Sequence, residues 1–149
     1  MSKISSIRAY IETLVATTLP TYAQCANPYS PEANSQLTLQ KGFGVGVGPG
    51  EAFKAEICPK YGQRRLFNIL LVNLVTSMPN NVAAFHALED AMLEDLHAIR
   101  KKLEAEFVLG GNAIQSDYQG DSGIQFLSGD KFKFISISVD YFVLYREDL

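Results

Sequence analysis

The order of secondary-structure patterns constrains this chain more than any single motif does. Hydrophobic periodicity predicts a short amphipathic helix over residues 3–18, then three strand-like runs, then one long helix over residues 82–107. A three-strand antiparallel tail follows and ends in the strongly β-prone run 131–145. This order predicts one α+β domain over residues 1–149, with a short N-terminal helix and a long central helix packed on a mainly antiparallel sheet.

Each predicted helix has an apolar stripe and recognisable ends. The stripe of the first helix consists of Ile4, Ile7, Ile11 and Leu14. Ser2 is available as its N-cap, and Pro20 ends it. The stripe of the second helix consists of Phe85, Leu88, Met92, Leu96, Ile99 and Leu103. Asn80 or Asn81 can cap this helix, and Gly110-Gly111 is a natural stop.

The first half of the predicted sheet contains a glycine-rich hairpin and a central strand. Residues 37–47 alternate apolar side chains with glycine, residues 47–51 resemble a hairpin turn, and residues 53–57 give the returning strand. Residues 64–75 are apolar on both faces, which favours a central strand covered on both sides. A buried helix segment is the competing interpretation of that run.

The predicted tail is a meander that ends in an unusually long strand. Residues 113–119 and 123–128 are joined to each other and to the last strand by links that fit tight turns. The last strand places apolar residues on one face, from Ile135 to Tyr145. Fifteen residues would span roughly 50 Å, so the strand either bends at a bulge or projects past the domain. A projecting apolar strand aggregates unless a partner covers it, which argues for oligomerisation.

Composition and charge exclude several classes of function. The net charge of −3 argues against non-specific binding of nucleic acid. A mildly acidic surface would still let DNA slide past it. Cys25 and Cys58 lack the spacing of a zinc site and are expected to be free thiols in a reducing compartment. The sequence shows neither a secretory signal nor an apolar run long enough to cross a membrane.

No arrangement of residues in the sequence predicts catalysis. The glycine series at 42–50 has neither the GxGxxG nor the GK[ST] motif of a nucleotide-binding loop. We therefore interpret it as a strand with glycines, and no side chains, along one face. His86 and His97 are roughly 16 Å apart along one helix, too far to share a metal ion. Asp117, Tyr118, Asp121 and the two histidines are the possible pocket linings, and they do not converge in the sequence. We therefore expect no enzyme activity, no cofactor and no metal site.

Two other segments are candidate contact surfaces. The loop at residues 20–36 is long for a compact domain, and such loops are often functional. A surface loop without a function explains its length equally well. Lys60, Arg64 and Arg65 form a compact basic cluster that could touch an anionic partner or a DNA backbone. Such residues more often flank an apolar strand as gatekeepers against aggregation.

The whole-chain pattern resembles the tail terminator, or tail completion, proteins of long-tailed bacteriophages. The resemblance follows the first helix, the glycine-rich hairpin and the strand Phe-Asn-Ile-Leu-Leu-Val at residues 67–72. It continues through the long helix at 85–107, the link Val-Leu-Gly-Gly-Asn-Ala-Ile and a Gly-Ile-Gln hairpin. It ends with the final strand Tyr-Phe-Val-Leu-Tyr-Arg at residues 141–146. The likeness covers nearly the full chain and rests on the order of elements.

This resemblance implies a mixed sheet and a homo-oligomeric, hexameric ring. The ring would cap the last ring of the tail tube protein, stop tail growth and present a surface to the head-side connector or stopper. DNA would pass through the lumen without sequence-specific contacts. The protein would be made in the host cytoplasm and reside in the tail or neck of the virion. The family offers no catalytic residues to carry over.

The candidate interface residues come from the local sequence pattern and not from the family. The candidates are apolar positions of the glycine-rich hairpin and of the last strand: Phe43, Val45, Val47, Phe53, Phe132, Phe134, Phe142 and Leu144. Another component of the head–tail neck, such as a stopper, would share this assembly logic. A small ligand-binding or enzymatic α/β domain is the other alternative, and it would need a pocket with convergent polar groups.

Overall fold

The computed structural model describes residues 2–25, 41–56, 60–75, 80–128 and 133–147. Several predictions fall outside these ranges. They are the loop beyond residue 25, the start of the first strand at 37–40, Ile57 at the end of the predicted returning strand, Cys58, the turn at 129–130, and Phe132.

Both predicted helices are present, and their N-caps are confirmed. Helix α1 spans Lys3–Thr18, and the Ser2 hydroxyl accepts a hydrogen bond from the Ser5 amide at 3.1 Å. Helix α2 spans Val82–Ala105, and the Asn81 side chain accepts from the Ala84 amide at 2.8 Å. These side chains satisfy amides that the first helical turn leaves without partners.

Helix α2 ends before the predicted glycine stop. Its last residue is Ala105, and the Glu106 amide donates to the Lys102 carbonyl as the cap. The chain then forms a short 3₁₀ helix, Leu109–Gly111, in which Leu109 and both glycines have positive φ. The glycines therefore shape the turn that leads into the next strand, and the helix itself ends a full turn earlier.

The six strands form one mixed sheet, which confirms the α+β class. They are β1 (Ala23–Gln24), β2 (Lys41–Ala52), β3 (Gly62–Val75), β4 (Gln115–Asp121), β5 (Gln125–Ser128) and β6 (Lys133–Arg146). The order across the sheet is β1-β2-β3-β6-β4, and β5 also pairs with β6. The pairing of β1 with β2 is parallel, and the other pairings are antiparallel.

The predicted hairpin turn at residues 47–51 is wrong. Strand β2 continues through this segment, and the pairing with β3 shifts by one residue between Val47 and Gly50. Pro49 lies inside this irregularity, where its missing N–H breaks no regular ladder. The predicted returning strand at 53–57 is wrong as well, since Phe53 begins the connection and its amide donates to the Gly62 carbonyl. Strand β3 is the returning strand.

The predicted meander in the tail is also wrong. Strands β4 and β5 do not pair with each other but follow one another along the same edge of β6. Ser122 bridges the gap between them, because its amide donates to the Ser138 carbonyl and its hydroxyl accepts from the Ser138 amide. The two strands behave as one edge strand interrupted by bulges.

The last strand neither projects nor lacks neighbours. All 14 residues of β6 pair with β3 without a register shift, and β4 and β5 cover its other edge. The sequence argument for oligomerisation from an uncovered final strand is therefore wrong. A strand that looked like a projecting edge is the centre of the sheet.

Both described helices lie on one face of the sheet. The main core joins α1 and α2 to the odd-numbered residues of β3 and β6, among them Phe67, Ile69, Leu71 and Ile137. On the other face, Leu70, Val72 and Phe134 form a smaller buried cluster that includes no residue of either helix. The apolar run at 64–75 is thus confirmed as a central strand with apolar side chains on both faces.

The turn after α2 gives a matched test of backbone conformation and packing. Alanine at Gly110 (φ 65°) would place its Cβ 2.6 Å from Cε2 of Tyr10, whereas alanine at Gly111 (φ 87°) would meet nothing within 4 Å. Both substitutions force a left-handed alanine, which costs about 1 kcal/mol or more. We expect Gly110→Ala to lower the free energy of unfolding by about 1 kcal/mol more than Gly111→Ala, measured by denaturant unfolding. Equal losses would contradict the contact with Tyr10.

Candidate functional site

Three of the predicted interface residues are buried within the fold. Phe43 is 1% exposed and belongs to the core beneath the helices. Phe134 is buried with Leu70 and Val72 on the other face, and Leu144 is buried on β6 opposite Arg64. These three residues stabilise the subunit, so their assignment to a contact surface is corrected.

The other predicted interface residues have unequal exposure. Val47 is 37% exposed on β2, while Val45 and Phe53 are half-buried. Phe142 is half-buried, and the Arg64 guanidinium lies 3.9 Å above its ring centroid. Among the described candidates, only Val47 presents a largely open apolar side chain to a partner.

The basic cluster is divided between the two faces of β3. Arg64 forms a salt bridge with Glu51 at 3.3 Å on one face. Arg65 lies on the opposite face and donates to the Gly48 carbonyl at 2.9 Å and to the Tyr145 hydroxyl at 3.2 Å. Lys60 is exposed in the connection before β3. The two arginines serve the sheet, so they do not form the anion-contact cluster that the sequence suggested.

This division predicts different effects for the two arginines. Arg65→Ala leaves the Tyr145 hydroxyl, on a fully buried residue, without this donor, and we expect it to lower the free energy of unfolding by about 2 kcal/mol. Arg64→Ala removes a partly exposed ion pair and a cation–π contact, and we expect a loss of about 1 kcal/mol or less. Denaturant unfolding of both variants measures the difference, and the reverse ranking would contradict the assignment.

A buried polar network ties α2 to the sheet. The Tyr22 hydroxyl donates to Oδ2 of Asp95 on α2 at 2.7 Å, and the side chain of Asn73 on β3 also bonds to this phenol. Lys41 lies opposite Asn73 across β2 and β3, and its Nζ is 5.4 Å from the centroid of the Tyr22 ring. Tyr22 and Asp95 satisfy one another, while Oδ1 of Asn73 has no hydrogen-bond partner among the described residues. The network holds elements together and offers no exposed nucleophile or base.

Burial raises the pKa of both Tyr22 and Tyr141 well above the ordinary value of 10.0, and the hydrogen bond to Asp95 adds to the effect at Tyr22. The folded protein therefore retains these protons where the unfolded chain loses them. The stabilisation is fully present below pH 10 and is lost as the pH rises above it.

We expect the free energy of unfolding to fall above pH 10, by at most about 1.4 kcal/mol per pH unit for each of these tyrosines. The double variant Tyr22→Phe/Tyr141→Phe should show a flatter dependence in denaturant titrations across this range. An unchanged slope would contradict the assignment of the pH dependence to these two phenols.

The suggested pocket residues converge only in part. The Tyr118 hydroxyl donates to Asp121 at 2.9 Å, and the Arg100 guanidinium lies 4.0 Å above the Tyr118 ring. Asp117 accepts instead from Gln115. The hydroxyl of buried Tyr141 lies in the same region without a hydrogen-bond partner. This arrangement packs α2 against β4 and brings neither histidine to the carboxylates.

The histidines lie on separate turns of α2. His86 lines an open pocket of about 360 Å³ at the start of the helix, together with Asn80, Asn81, Val82 and Phe85. His97 is exposed roughly 16 Å further along the helix axis. Within the described ranges, no group of three His, Cys, Asp or Glu side chains could hold a metal ion. The pocket offers one titratable group and an asparagine already used as the helix cap.

The most distinctive surface is acidic and partly apolar. The Phe85 ring stacks on the Phe126 ring of β5 at 5.4 Å, which joins the start of α2 to the sheet edge. Val82, Leu93 and Phe126 are 70%, 44% and 43% exposed. Residues 82–99 and 112–128 contain six acidic residues and neither Lys nor Arg, and five of the six lie outside the buried Tyr22–Asp95 pair. We call the exposed side of α2 over residues 82–99, together with the outer edge of β4 and β5, the acidic flank.

The opposite side of the molecule, made by α1, β1 and β2, carries charges of both signs, since Glu12 and Glu51 accompany Arg8 and Lys41. Glu12 of α1 hydrogen-bonds to Gln24 of β1, which places that side of α1 beside the outer strands. Arg8, one turn earlier on the same side of α1, is exposed. Lys41 and Val47 belong to β2, the next strand inward.

The sequence interpretation missed the acidic flank. The absence of Lys and Arg from two separate segments was visible in the sequence, but only the sheet order brings α2, β4 and β5 to one side. Neither a protein-family model nor a curated protein matches this chain. Among the described helices, none is long and apolar enough to cross a membrane.

Proposed function

We propose that this protein is a structural component of a bacteriophage tail, the tail terminator. Copies of the chain form a ring, of six subunits by analogy with the family it resembles, that caps the last ring of the tail tube protein. The observation that carries the proposal is the row of exposed apolar side chains on the acidic flank, Val82, Leu93 and Phe126. Contiguous exposed apolar surface marks sites of protein association, and the proposal takes these three side chains as parts of one such surface.

The two-layer fold supports this proposal. The first helix, the strand at 67–72, the long central helix and the final strand follow one another in the order on which the resemblance rests, although the glycine-rich segment forms its hairpin with the strand at 67–72 and not before it. Tyr118 and Asp121, two of the residues suggested as pocket linings, serve packing, and so do Tyr22 and Asp95. A subunit whose polar groups hold its own elements together suits a role in assembly.

In this role the ring ends tail growth by covering the growing face of the tube. Its other face offers the head-side connector or stopper a different surface, so polymerisation of tube protein does not continue. DNA passes through the lumen without base-specific contacts, and the net charge of −3 favours passage over retention. The protein then belongs to the virion tail or neck, after synthesis in the host cytoplasm.

Two other functions make distinct predictions. A different neck component, such as a head–tail stopper, would bind the connector and leave the bare tube uncapped. A small ligand-binding domain is favoured by the pocket of about 360 Å³ beside His86, which is within the usual size range of ligand sites. That function requires a monomer whose melting temperature rises with ligand.

The deciding experiment combines the mass in solution with binding to tubes. We expect light scattering on a sizing column to show a ring of several subunits, or a monomer that forms rings on tubes of the tail tube protein. Electron microscopy should show one capped end per tube, and addition of the protein during tube polymerisation should stop elongation. Tubes mixed with an unrelated acidic protein of similar size are the control. A strict monomer that never binds tubes would contradict the proposal.

A further inference from the structure

We infer that the acidic flank binds a basic amphipathic segment of a different protein, which places a Lys or Arg side chain beside Glu89 and an apolar side chain beside Val82. The inference rests on the proposed function, which takes this flank as a contact surface, and it adds the chemistry of the partner. The contact surface is the strip where α2 runs alongside the β4–β5 edge, and we call it the docking strip. Its side chains are Val82, Phe85, Glu89 and Leu93 of α2, Asp121 of β4 and Phe126 of β5.

Two aromatic contacts show how α2 follows this edge of the sheet. Near the start of the helix, the Phe85 ring stacks on the Phe126 ring, and further along the Arg100 guanidinium lies over the Tyr118 ring. The fifteen residues from Phe85 to Arg100 span about 22 Å of helix. Glu89 comes four residues after Phe85 and eleven before Arg100, so it projects from the same side of the helix, toward the strand edge.

Glu89 is a half-buried carboxylate without a counter-charge. It forms no hydrogen bond and no salt bridge with any described residue. Arg100, the first cation after Glu89 on α2, is paired with Glu104 at 3.0 Å. Lys133 pairs with β5 beyond Phe126, on the side away from Glu89. Because covering a carboxylate without a counter-charge is costly, a partner that packs over this residue must supply a cation.

The sheet edge adds a second negative charge to the docking strip. Asp121 pairs with Val139 of β6, between the positions on that strand that face Phe126 and Tyr118. It is exposed, and it accepts hydrogen bonds from the Tyr118 hydroxyl and the Gly123 amide, which are both neutral donors. The two sides of the strip therefore favour a cationic partner and repel nucleic acid, anionic lipid and a second acidic flank.

Apolar side chains lie next to these charges. Val82 is 70% exposed and lines the open pocket of about 360 Å³ together with Phe85. Leu93, one turn after Glu89, and Phe126 are both more than 40% exposed. A purely cationic partner would leave these side chains in water, and a purely apolar partner would cover Glu89 without a counter-charge. The strip therefore matches a segment that carries both kinds of side chain.

The geometry of the edge favours a helical segment over an added strand. The pairing of β4 with β6 shifts between Tyr118 and Gly120, and the positive φ values of Gly120 and Gly123 accompany the break between β4 and β5. An interrupted edge opposes the addition of another strand. A helix of about fifteen residues matches the 22 Å over which α2 follows the edge.

Synthetic peptides test the chemistry of the partner without tail tubes. The probe is an amphipathic peptide of leucine and lysine, about fifteen residues long. One control peptide replaces every lysine by glutamate, and another replaces every leucine by serine. We expect the full chain to bind only the leucine–lysine peptide, measured by fluorescence anisotropy, and the affinity to fall as salt is added.

Two variants remove the two features of the docking strip, and each has a matched control. We expect Glu89→Lys to weaken binding at least about tenfold, whereas Glu94→Lys, the same charge change about 140° around the helix, weakens it by about twofold or less. Val82→Ser should weaken binding, whereas Val108→Ser, at an exposed position outside the strip, should not. Thermal melting confirms that every variant is folded, and light scattering compares the masses of the wild type and Glu89→Lys.

The possible outcomes separate this inference from the proposed function. A wild-type chain that fails to bind the leucine–lysine peptide, or equal losses in Glu89→Lys and Glu94→Lys, would overturn the inference. A wild-type oligomer that dissociates in Glu89→Lys alone would show that a second copy occupies the strip, and would also overturn it. Peptide binding by a chain that never caps tubes would leave the inference intact and overturn only the terminator function.

Discussion

The unshifted pairing of β3 with β6 is the constraint on which the rest of the structure depends. Every residue from Gly62 to Val75 faces a partner on β6, from Arg146 back to Lys133. Because side chains alternate between faces, this one register places all odd-numbered apolar residues of both strands under the helices. A register shift of one residue would place the side chains of Ser136 and Ser138 in the core and that of Ile137 on the opposite face of the sheet.

The helices complete the core from one side only, and this asymmetry creates the acidic flank on which the proposed function rests. Helix α1 lies beside β1 and β2, while α2 reaches the β4–β5 edge through Arg100 and Phe85. The first ten residues of α2 include no fully buried side chain, because Met92 is the first to enter the core. The start of the helix therefore extends along the sheet edge with the apolar side chain of Val82 exposed.

Polar residues that invite a chemical interpretation hold the fold together instead. Tyr22 and Asp95 join the β1 end of the sheet to α2, and Arg65 anchors the irregular part of β2 through the Gly48 carbonyl. Asn68 donates to Asp140 at 2.7 Å across the two central strands. Each interaction satisfies a group that would be costly to bury alone. This use of polar groups agrees with a subunit whose function depends on its surfaces.

The sequence by itself determined the elements whose signals are local. The apolar stripes and the caps Ser2 and Asn81 were sufficient to place both helices, because spacing and capping act within one or two turns. The α+β class and the strand character of residues 64–75 followed from the same kind of pattern. Only the tertiary structure decided that β2 passes through Val47–Gly50 without turning, that β4 and β5 share one edge of β6, and that Phe43 is a core residue. It also decided that two acidic segments meet on one flank. Strand order and register depend on contacts between residues far apart in the chain, and local patterns carry no information about which edges meet.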